Sequence, residues 1–296
     1  MNVSDVSYQF KRYALHERGM RPRSYRSIMA SIAMLCDWAD TEEIKRLDHG
    51  SVQAFLYWGR EERAWEARTF RNHWQYLRSF FVWCVKQGFI KRNPIDGIEK
   101  PKLPKRLPRC LSREDIQTVL GHAHLFPWRY KFEGIRNETI LYLLVFTGLR
   151  LQEMLDLELI DVNLDSQDIL VRQGKGQKDR MVPIHPRLLP ILRNYLAKRK
   201  AHRDGSQYFI VGAKSGKPMS GKDVRTICQK LSRASGRYFT PHMLRHTFGR
   251  LTVESGWDIF SIKEVMGHSD ITTTQGYLSV STENIKRSFG DLDFFR

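Results

Sequence analysis

The sequence predicts a mainly α-helical protein with a small β-sheet, divided into two domains. Its 296 residues are about twice the length of a common domain. Apolar residues recur at helical spacing through the first hundred residues, whereas short strand-like segments appear only after residue 109. We therefore expect an all-helical domain over residues 1–100, a linker over 101–109 and a mixed α/β domain over 110–296.

The N-terminal region carries helical patterns rich in aromatic residues. Ser24 to Trp38 and Thr69 to Val85 place apolar side chains about every 3.6 positions, and Gly88 ends the second pattern. Between them, Ser51 is the expected N-cap of another helix. Because arginines interleave with the apolar positions, we expect the aromatics to form a core and the arginines to lie on the surface.

The segment between the two domains is basic and rich in proline. From Lys91 to Arg109 there are seven basic residues, two acidic residues and four prolines, so an extended conformation is expected. Two interpretations remain open: a solvated linker, or a linker that lies against phosphates through Lys102, Lys105 and Arg106.

The second domain mixes helices with a hairpin. Ser112 and Asp115 predict a capped helix start, and Glu138 to Phe146 predicts an apolar helix that Gly148 ends. Two short strands, 169–172 and 180–184, are joined by a glycine-rich turn at 174–178. Four later segments are again helical: 187–200, 222–234, 240–254 and 259–266.

Composition indicates a polyanion as the partner. The 49 Lys and Arg exceed the 32 Asp and Glu, giving a net charge of +17, and this excess is +8 over residues 1–108 and +9 over 109–296. No apolar run is long enough to cross a membrane, and the N-terminus shows no signal-peptide core. The four cysteines lie far apart, without metal-ligand spacing. We expect a cytoplasmic, nucleoid-associated protein with reduced thiols and no membrane contact.

Residues 240–248 form the most specific local pattern. Thr240 is a good N-cap and Pro241 suits the first helical position. His242 and Arg245 fall three apart in the first turn, where a helix N-terminus already favours an anion. The pattern predicts a phosphate site.

Two further segments could join this site. Gly148 precedes Arg150, and Glu153 lies one turn on, where it can orient the guanidinium; taken alone, this pair is better explained by a surface ion pair. His268 and Tyr277 follow later. Guanidinium groups can clamp the pentacoordinate phosphorus formed when a phenol attacks a phosphodiester. No carboxylate cluster of metal-site type accompanies these residues, so no metal is expected.

These segments resemble the tyrosine recombinase (phage integrase) superfamily, and most of all its compact Xer-like members. The resemblance lies in Thr-Gly-Leu-Arg-x-x-Glu at 147–153, Gly-Lys-Gly-x-Lys-x-Arg-x-x-Pro at 174–183, Pro-His-x-Leu-Arg-His-Thr at 241–247, and Met-Gly-His-Ser at 266–269 with Thr-Thr-Gln-x-Tyr at 273–277. The motifs occur in the family's order and spacing. By layout, residues 1–100 also resemble its SAM-like core-binding domain, and 110–296 its catalytic domain.

The resemblance implies a role for each matching residue. Tyr277 would be the nucleophile that forms a 3′-phosphotyrosyl bond, and Arg150 and Arg245 would hold the scissile phosphate. Lys175 would be the general acid, His242 would assist proton transfer at the tyrosine, and His268 would hydrogen-bond the phosphate. The remaining matched residues have supporting roles: Glu153 would hold the first arginine, and Lys178 and Arg180 would contact DNA. Strand exchange would need neither ATP nor metal, hence no cofactor.

The resemblance also implies a homotetramer on a double-stranded DNA recombination site. Apolar residues beyond the tyrosine, including Ile285, Phe289 and Leu292, predict a tail that either packs on its own domain or docks on a neighbouring protomer. Two alternatives stay open, a non-catalytic DNA-binding regulator of the same fold and a type IB topoisomerase. The target site, any accessory protein and the biological role (integration or excision of a mobile element, cointegrate resolution, chromosome-dimer resolution) are not specified by the sequence.

Overall fold

The structure is a computed structural model that describes residues 1–103, 108–172, 179–202 and 205–267. The chain forms two compact units, Met1–Lys105 and Arg106–Arg296, which divide within the predicted linker; its boundaries at 101–109 stay a prediction. No helix in the described ranges is both long and apolar enough to cross a membrane. The mainly helical fold with a small sheet is confirmed.

The first unit is all-helical, as predicted. Its core includes Phe10, Phe55, Phe80 and Phe81, none of which is exposed to solvent. The helices are α1 Val3–Arg12, α2 Pro22–Trp38, α3 His49–Glu61 and α4 Ala67–Lys86, with a widened turn at Tyr13–Glu17 after α1 and a 3-10 turn at Ile44–Arg46.

The predicted N-cap of α3 is wrong. The helix begins at His49, three residues earlier than expected, and Asp48 caps it. Asp48 Oδ1 accepts the backbone N–H of Ser51 at 2.9 Å and the Ser51 hydroxyl at 2.6 Å. Ser51 is therefore a donor in the capping interaction and not the cap itself. The carboxylate of Asp48, three residues earlier, accepts a free N–H group of the first turn.

The segment after α4 was expected to be extended from Lys91 onward. It instead folds onto the first unit, and the linker starts later. Residues 94–97 form a turn, and Ile95 and Ile98 are buried in the core of the first unit. The Trp74 indole N–H donates to the Ile98 carbonyl at 2.8 Å, and the Lys100 ammonium lies 4.4 Å from the Trp74 ring centroid. Burial of two isoleucines outweighs the local charge, so the first unit extends through this segment.

The second unit surrounds one long buried helix, α6. It packs mainly against α5, α8 and α10, and buries polar as well as apolar side chains. The capping box that Ser112 and Asp115 predict at the start of α5 is present. The helices are α5 Arg113–Leu125, α6 Lys131–Thr147, α7 Leu151–Asp156, α8 Leu189–His202, α9 Gly221–Ser235, α10 Pro241–Glu254 and α11 Ile259–Met266.

A three-stranded antiparallel sheet completes the second unit. Its strands are β1 Val162–Asn163, β2 Asp168–Val171 and β3 Arg180–Pro183, in that spatial order. The two predicted strands pair as expected, with Ile169 opposite Val182 and Val171 opposite Arg180. The predicted turn between them lies outside the described residues. Strand β1 was not predicted, because a two-residue strand is too short to show alternation.

Candidate active site

Arg150 stands at a tight turn between α6 and α7. Gly148 ends α6 in the left-handed conformation with φ +62°, and Arg150 is the N-cap residue of α7. A Cβ at position 148 would lie 2.3 Å from Cδ1 of Phe248 on α10. Only glycine meets both requirements, positive φ and no side chain, so this residue brings the turn close to α10.

Glu153 holds Arg150 from inside the domain. Its carboxylate accepts the backbone N–H of Arg150 at 2.9 Å and the Arg150 Nη1 at 2.6 Å. Only 12% of the Glu153 side chain is exposed, against 37% of Arg150. Burial opposes ionisation of Glu153, but hydrogen bonds from Arg180 and Arg150 outweigh it and lower the pKa of the carboxyl. The pair is therefore not the surface ion pair that the sequence left open.

Arg245 reaches the same place from α10. The predicted start of this helix is confirmed, with the Thr240 hydroxyl accepting the Met243 N–H at 3.2 Å and Pro241 in the first turn. Arg245 Nη1 donates to the Gly148 carbonyl at 2.6 Å and lies 4.0 Å from Glu153 Oε2. The motifs at 147–153 and 240–248, far apart in the sequence, thus meet at one carboxylate.

Arg180 is the residue whose place differs from expectation. It was predicted to contact DNA, but only 6% of its side chain is exposed. Its Nη2 and Nη1 donate to the two carboxylate oxygens of Glu153 at 2.7 and 3.3 Å, and its Nε donates to the Val265 carbonyl at 2.8 Å. Its guanidinium is therefore paired inside the second unit, with Glu153 and the end of α11.

The C-terminal end of α11 lies among these arginines. Arg180 Nε donates to the carbonyl of Val265, Arg245 Nη2 to that of Met266 at 2.7 Å, and Arg150 Nη2 to that of Gly267. The last carbonyls of a helix carry the negative end of its dipole, so three guanidinium groups are favourable partners for them.

Two histidines share α10 with Arg245. The rings of His242 and His246 lie 4.2 Å apart in an edge-to-face arrangement. Partial burial, followed by the nearby Arg245, lowers the pKa of His242. Burial, with contributions from His242 and Arg245, lowers the pKa of His246 to about 4. Both rings are therefore neutral at pH 7. His246 was not predicted as a site residue. Its spacing of four residues from His242 places both rings on one face of the helix and could have indicated their contact.

Several predicted site residues lie outside the described residues: Lys175, Lys178, His268, Tyr277, Lys105 and Arg106. The C-terminal tail beyond Tyr277 does so as well. Lys102 is described and is exposed. Within the described ranges, no group of three or more His, Cys, Asp or Glu side chains is placed to hold a metal ion.

Comparisons with known proteins find matches for both units of the chain. Residues 109–284 match the phage integrase family, and residues 8–90 match the N-terminal SAM-like domain of phage integrases. Tyrosine recombinase XerC of Xylella fastidiosa (strain M23) is 30% identical over 278 residues, which cover 92% of this chain and 91% of that protein. Tyrosine recombinase XerA of Thermococcus onnurineus (strain NA1) is 37% identical over 216 residues, 72% of this chain and 71% of that protein.

Solved structures show the same fold. XerH site-specific recombinase bound to a palindromic difH substrate, a post-cleavage complex, has a TM-score of 0.77 at 19% identity over 96% of this chain and 84% of that one. A lambda integrase dimer bound to a COC′ core site has a TM-score of 0.71 at 20% identity, covering 92% and 97%. With a family match over more than half of its length and relatives across nearly all of it, the chain belongs to the phage integrase family, the tyrosine recombinases, as a compact Xer-like member.

Proposed function

We propose that this protein is a site-specific DNA recombinase that cleaves and rejoins duplex DNA through a 3′-phosphotyrosyl intermediate on Tyr277. The convergence of Arg150 and Arg245 beside Glu153 carries the proposal. Two guanidinium groups held together on a rigid frame can neutralise the charge that builds up on a phosphorus under attack. Their geometry is set by the protein before any DNA binds.

In the proposed cleavage, the Tyr277 hydroxyl oxygen attacks the scissile phosphorus, and the bond from phosphorus to the 5′ oxygen breaks. His242 takes up the phenolic proton, which its ring can accept because the lowered pKa leaves it neutral at pH 7. Lys175 gives a proton to the departing 5′ oxygen, and His268 hydrogen-bonds a non-bridging oxygen. A 5′ hydroxyl then reverses the step, so the phosphodiester energy is conserved without ATP, and the guanidinium groups supply the positive charge that a metal would otherwise provide.

DNA binding in this proposal uses the positive charge of both units. Lys102, Lys105, Arg106 and Lys178 are proposed to contact the backbone, and Lys102 is exposed as this requires. Arg180 is removed from this group because its guanidinium is buried. Contacts of this kind release counterions, so affinity should fall steeply as salt rises.

The test is covalent trapping. The protein is incubated with genomic DNA, the adduct is isolated in denaturant, and the attached DNA is sequenced to recover the target site. A nicked duplex of that sequence should then give a protein–DNA adduct that Tyr277→Phe abolishes. Tyr238→Phe, at an exposed tyrosine of the same unit, is the control and should keep the adduct. An adduct that survives in the Tyr277→Phe variant would refute the assignment.

The same experiment separates the two alternatives. A regulator without catalytic activity would bind the recovered DNA and give no adduct with the wild-type protein. A type IB topoisomerase would give the adduct and relax supercoiled plasmid, yet produce no recombinants from a plasmid with two sites. Recombinant products from such a plasmid support the proposed function.

We further propose that four copies assemble on two sites and that the C-terminal tail docks on a neighbouring protomer. The surface proposed to receive the tail is a groove of about 600 Å³ in the described part of the second unit; its lining is mainly apolar and includes Val182, Ile184, Phe248, Leu251 and Trp257. Removal of residues 284–296 should impair assembly and coordinated cleavage while leaving monomer folding intact. Unchanged recombination by the shortened chain would contradict the docking.

The biological setting follows from the target. Trapped DNA from a chromosomal terminus region, a mobile-element end or a cointegrate junction would assign chromosome-dimer resolution, integration and excision, or cointegrate resolution. We propose that the protein acts in the cytoplasm on nucleoid DNA. Whether an accessory protein is required is tested by asking whether the purified protein alone recombines the recovered site.

A further inference from the structure

We propose that Arg180 is a positioning residue for DNA cleavage: it saturates Glu153 and fixes the end of α11, so that Arg150 and Arg245 keep their positive charge for one phosphate. This inference rests on the proposed function of the same site. It assigns Arg180 a role other than the DNA contact expected from its motif.

The burial of Arg180 supports a fixed position. Its side chain is 6% exposed, and a buried guanidinium is tolerated only when its N–H groups are paired. Three of its nitrogens donate, two to Glu153 and one to the Val265 carbonyl. The two bonds to Glu153 form a bidentate pair, which fixes both the distance and the plane of the carboxylate. To reach DNA, the side chain would have to break all three bonds.

The bidentate pair also determines which arginine balances most of the negative charge of Glu153. Glu153 receives one side-chain bond from Arg150 at 2.6 Å, two from Arg180, and has Arg245 Nη1 at 4.0 Å. With Arg180 in place, most of the carboxylate's charge is matched by a residue that faces inward. Without it, the carboxylate would be balanced by Arg150 and Arg245 alone, and these two would attract a phosphate less.

The third bond connects strand β3 to α11. Arg180 Nε holds the Val265 carbonyl, directly before the Met266 and Gly267 carbonyls that Arg245 and Arg150 hold. One side chain therefore links α7, β3 and α11. Losing it should disturb the spacing of the two phosphate-binding arginines and weaken their joint action on the phosphate.

The experiment measures adduct formation on two duplexes of the recovered site. One has the natural scissile phosphate, and the other has a methylphosphonate there, which lacks one negative charge. Arg180→Met should slow cleavage of the natural phosphate by about 10- to 100-fold, the size of effect known for residues that orient the ligands of a metal site. The methylphosphonate needs less positive charge, so its cleavage should slow several-fold less. Arg180→Lys keeps the charge and should restore part of the rate.

The matched control is Arg136→Met, at another buried arginine of the same unit. Arg136 is 5% exposed and bonds to Asn137 and the Val211 carbonyl, and not to the arginine cluster formed by Arg150, Arg180 and Arg245 around Glu153. This variant should slow both duplexes by the same factor. If Arg180→Met also slows both equally, or leaves the natural phosphate within about threefold of wild type, the proposal is overturned. If Arg180→Met does not fold, the ratio measured with Arg180→Lys decides in the same way. Absence of any wild-type adduct would instead refute the proposed function.

Discussion

Replacing Gly148 with alanine tests how closely the turn before Arg150 is packed on α10. Gly148 has φ +62°, and an added Cβ would stand 2.3 Å from Cδ1 of Phe248. Carbon atoms do not approach to this distance without displacement. Either the Phe248 ring or the turn itself must therefore move, and both lie beside the arginine cluster.

The cost has two parts. A non-glycine residue in the left-handed conformation costs about 1–2 kcal/mol, and forcing a methyl group into a packed site costs about 1–3 kcal/mol more. Gly236 offers a matched control, because it ends α9 of the same unit at φ +66° and an added Cβ there meets no atom within 4 Å. Gly236→Ala should therefore show the first cost alone.

Urea unfolding of the full chain measures both variants. We expect Gly148→Ala to lower the free energy of unfolding of the second unit by about 2–5 kcal/mol and Gly236→Ala by about 1–2 kcal/mol. Adduct formation should slow only in Gly148→Ala, because the Gly148 carbonyl accepts from Arg245 at 2.6 Å and moves with the turn.

A third variant shows whether Phe248 is the cause. Phe248→Leu removes the ring atoms that an alanine at position 148 would meet, so the excess cost of Gly148→Ala over Gly236→Ala should shrink in that background. Equal costs for the two glycine variants, or an excess that Phe248→Leu leaves unchanged, would refute the reasoning.

Three further predictions concern single groups. Glu153→Gln should destabilise the protein by about 3–5 kcal/mol in urea, since it leaves the buried Arg180 guanidinium without its counter-charge. The control Gln152→Glu, at an exposed residue of α7, replaces the hydrogen bond to Asp156 with a like-charge pair and should cost under about 1 kcal/mol. His246 has its pKa lowered from the ordinary value to about 4, so the neutral ring stabilises the fold above pH 6.5 and this stability is lost as pH falls toward 4; thermal melts should show His246→Asn flattening that loss. Asp48→Ala should cost about 1 kcal/mol in thermal unfolding and more than Ser51→Ala, since the carboxylate is the cap.

Features set by neighbouring residues could be predicted from the sequence. Thr240 and Pro241 begin α10 as expected, because a cap and a proline act on the turn that contains them. The pairing of β2 with β3 was also predicted, since alternation and a glycine-rich turn are local signals.

Features set by distant packing could not be predicted. Helix α6 begins at Lys131, but only its second half was recognised, because it is buried on most sides and its polar residues Asn137 and Glu138 break the apolar pattern. Arg180 looked like a surface cation because its partners, Glu153 and Val265, come from elements that precede and follow it at a distance.

Part of the net charge of +17 is concentrated in the arginine cluster of Arg150, Arg180 and Arg245. Three guanidinium groups there lie around one carboxylate, and among the described residues they also donate to the Gly148 carbonyl and to the carbonyl dipoles at the end of α11. Those dipoles amount to about half an elementary charge, less than a phosphodiester would bring. A phosphate entering beside Arg150, the most exposed of the three, would therefore be a stronger partner for the guanidinium groups than the carbonyls they hold. In the proposed function, the excess charge spread over both units attracts DNA, whereas the arginine cluster binds the one phosphate that is cleaved.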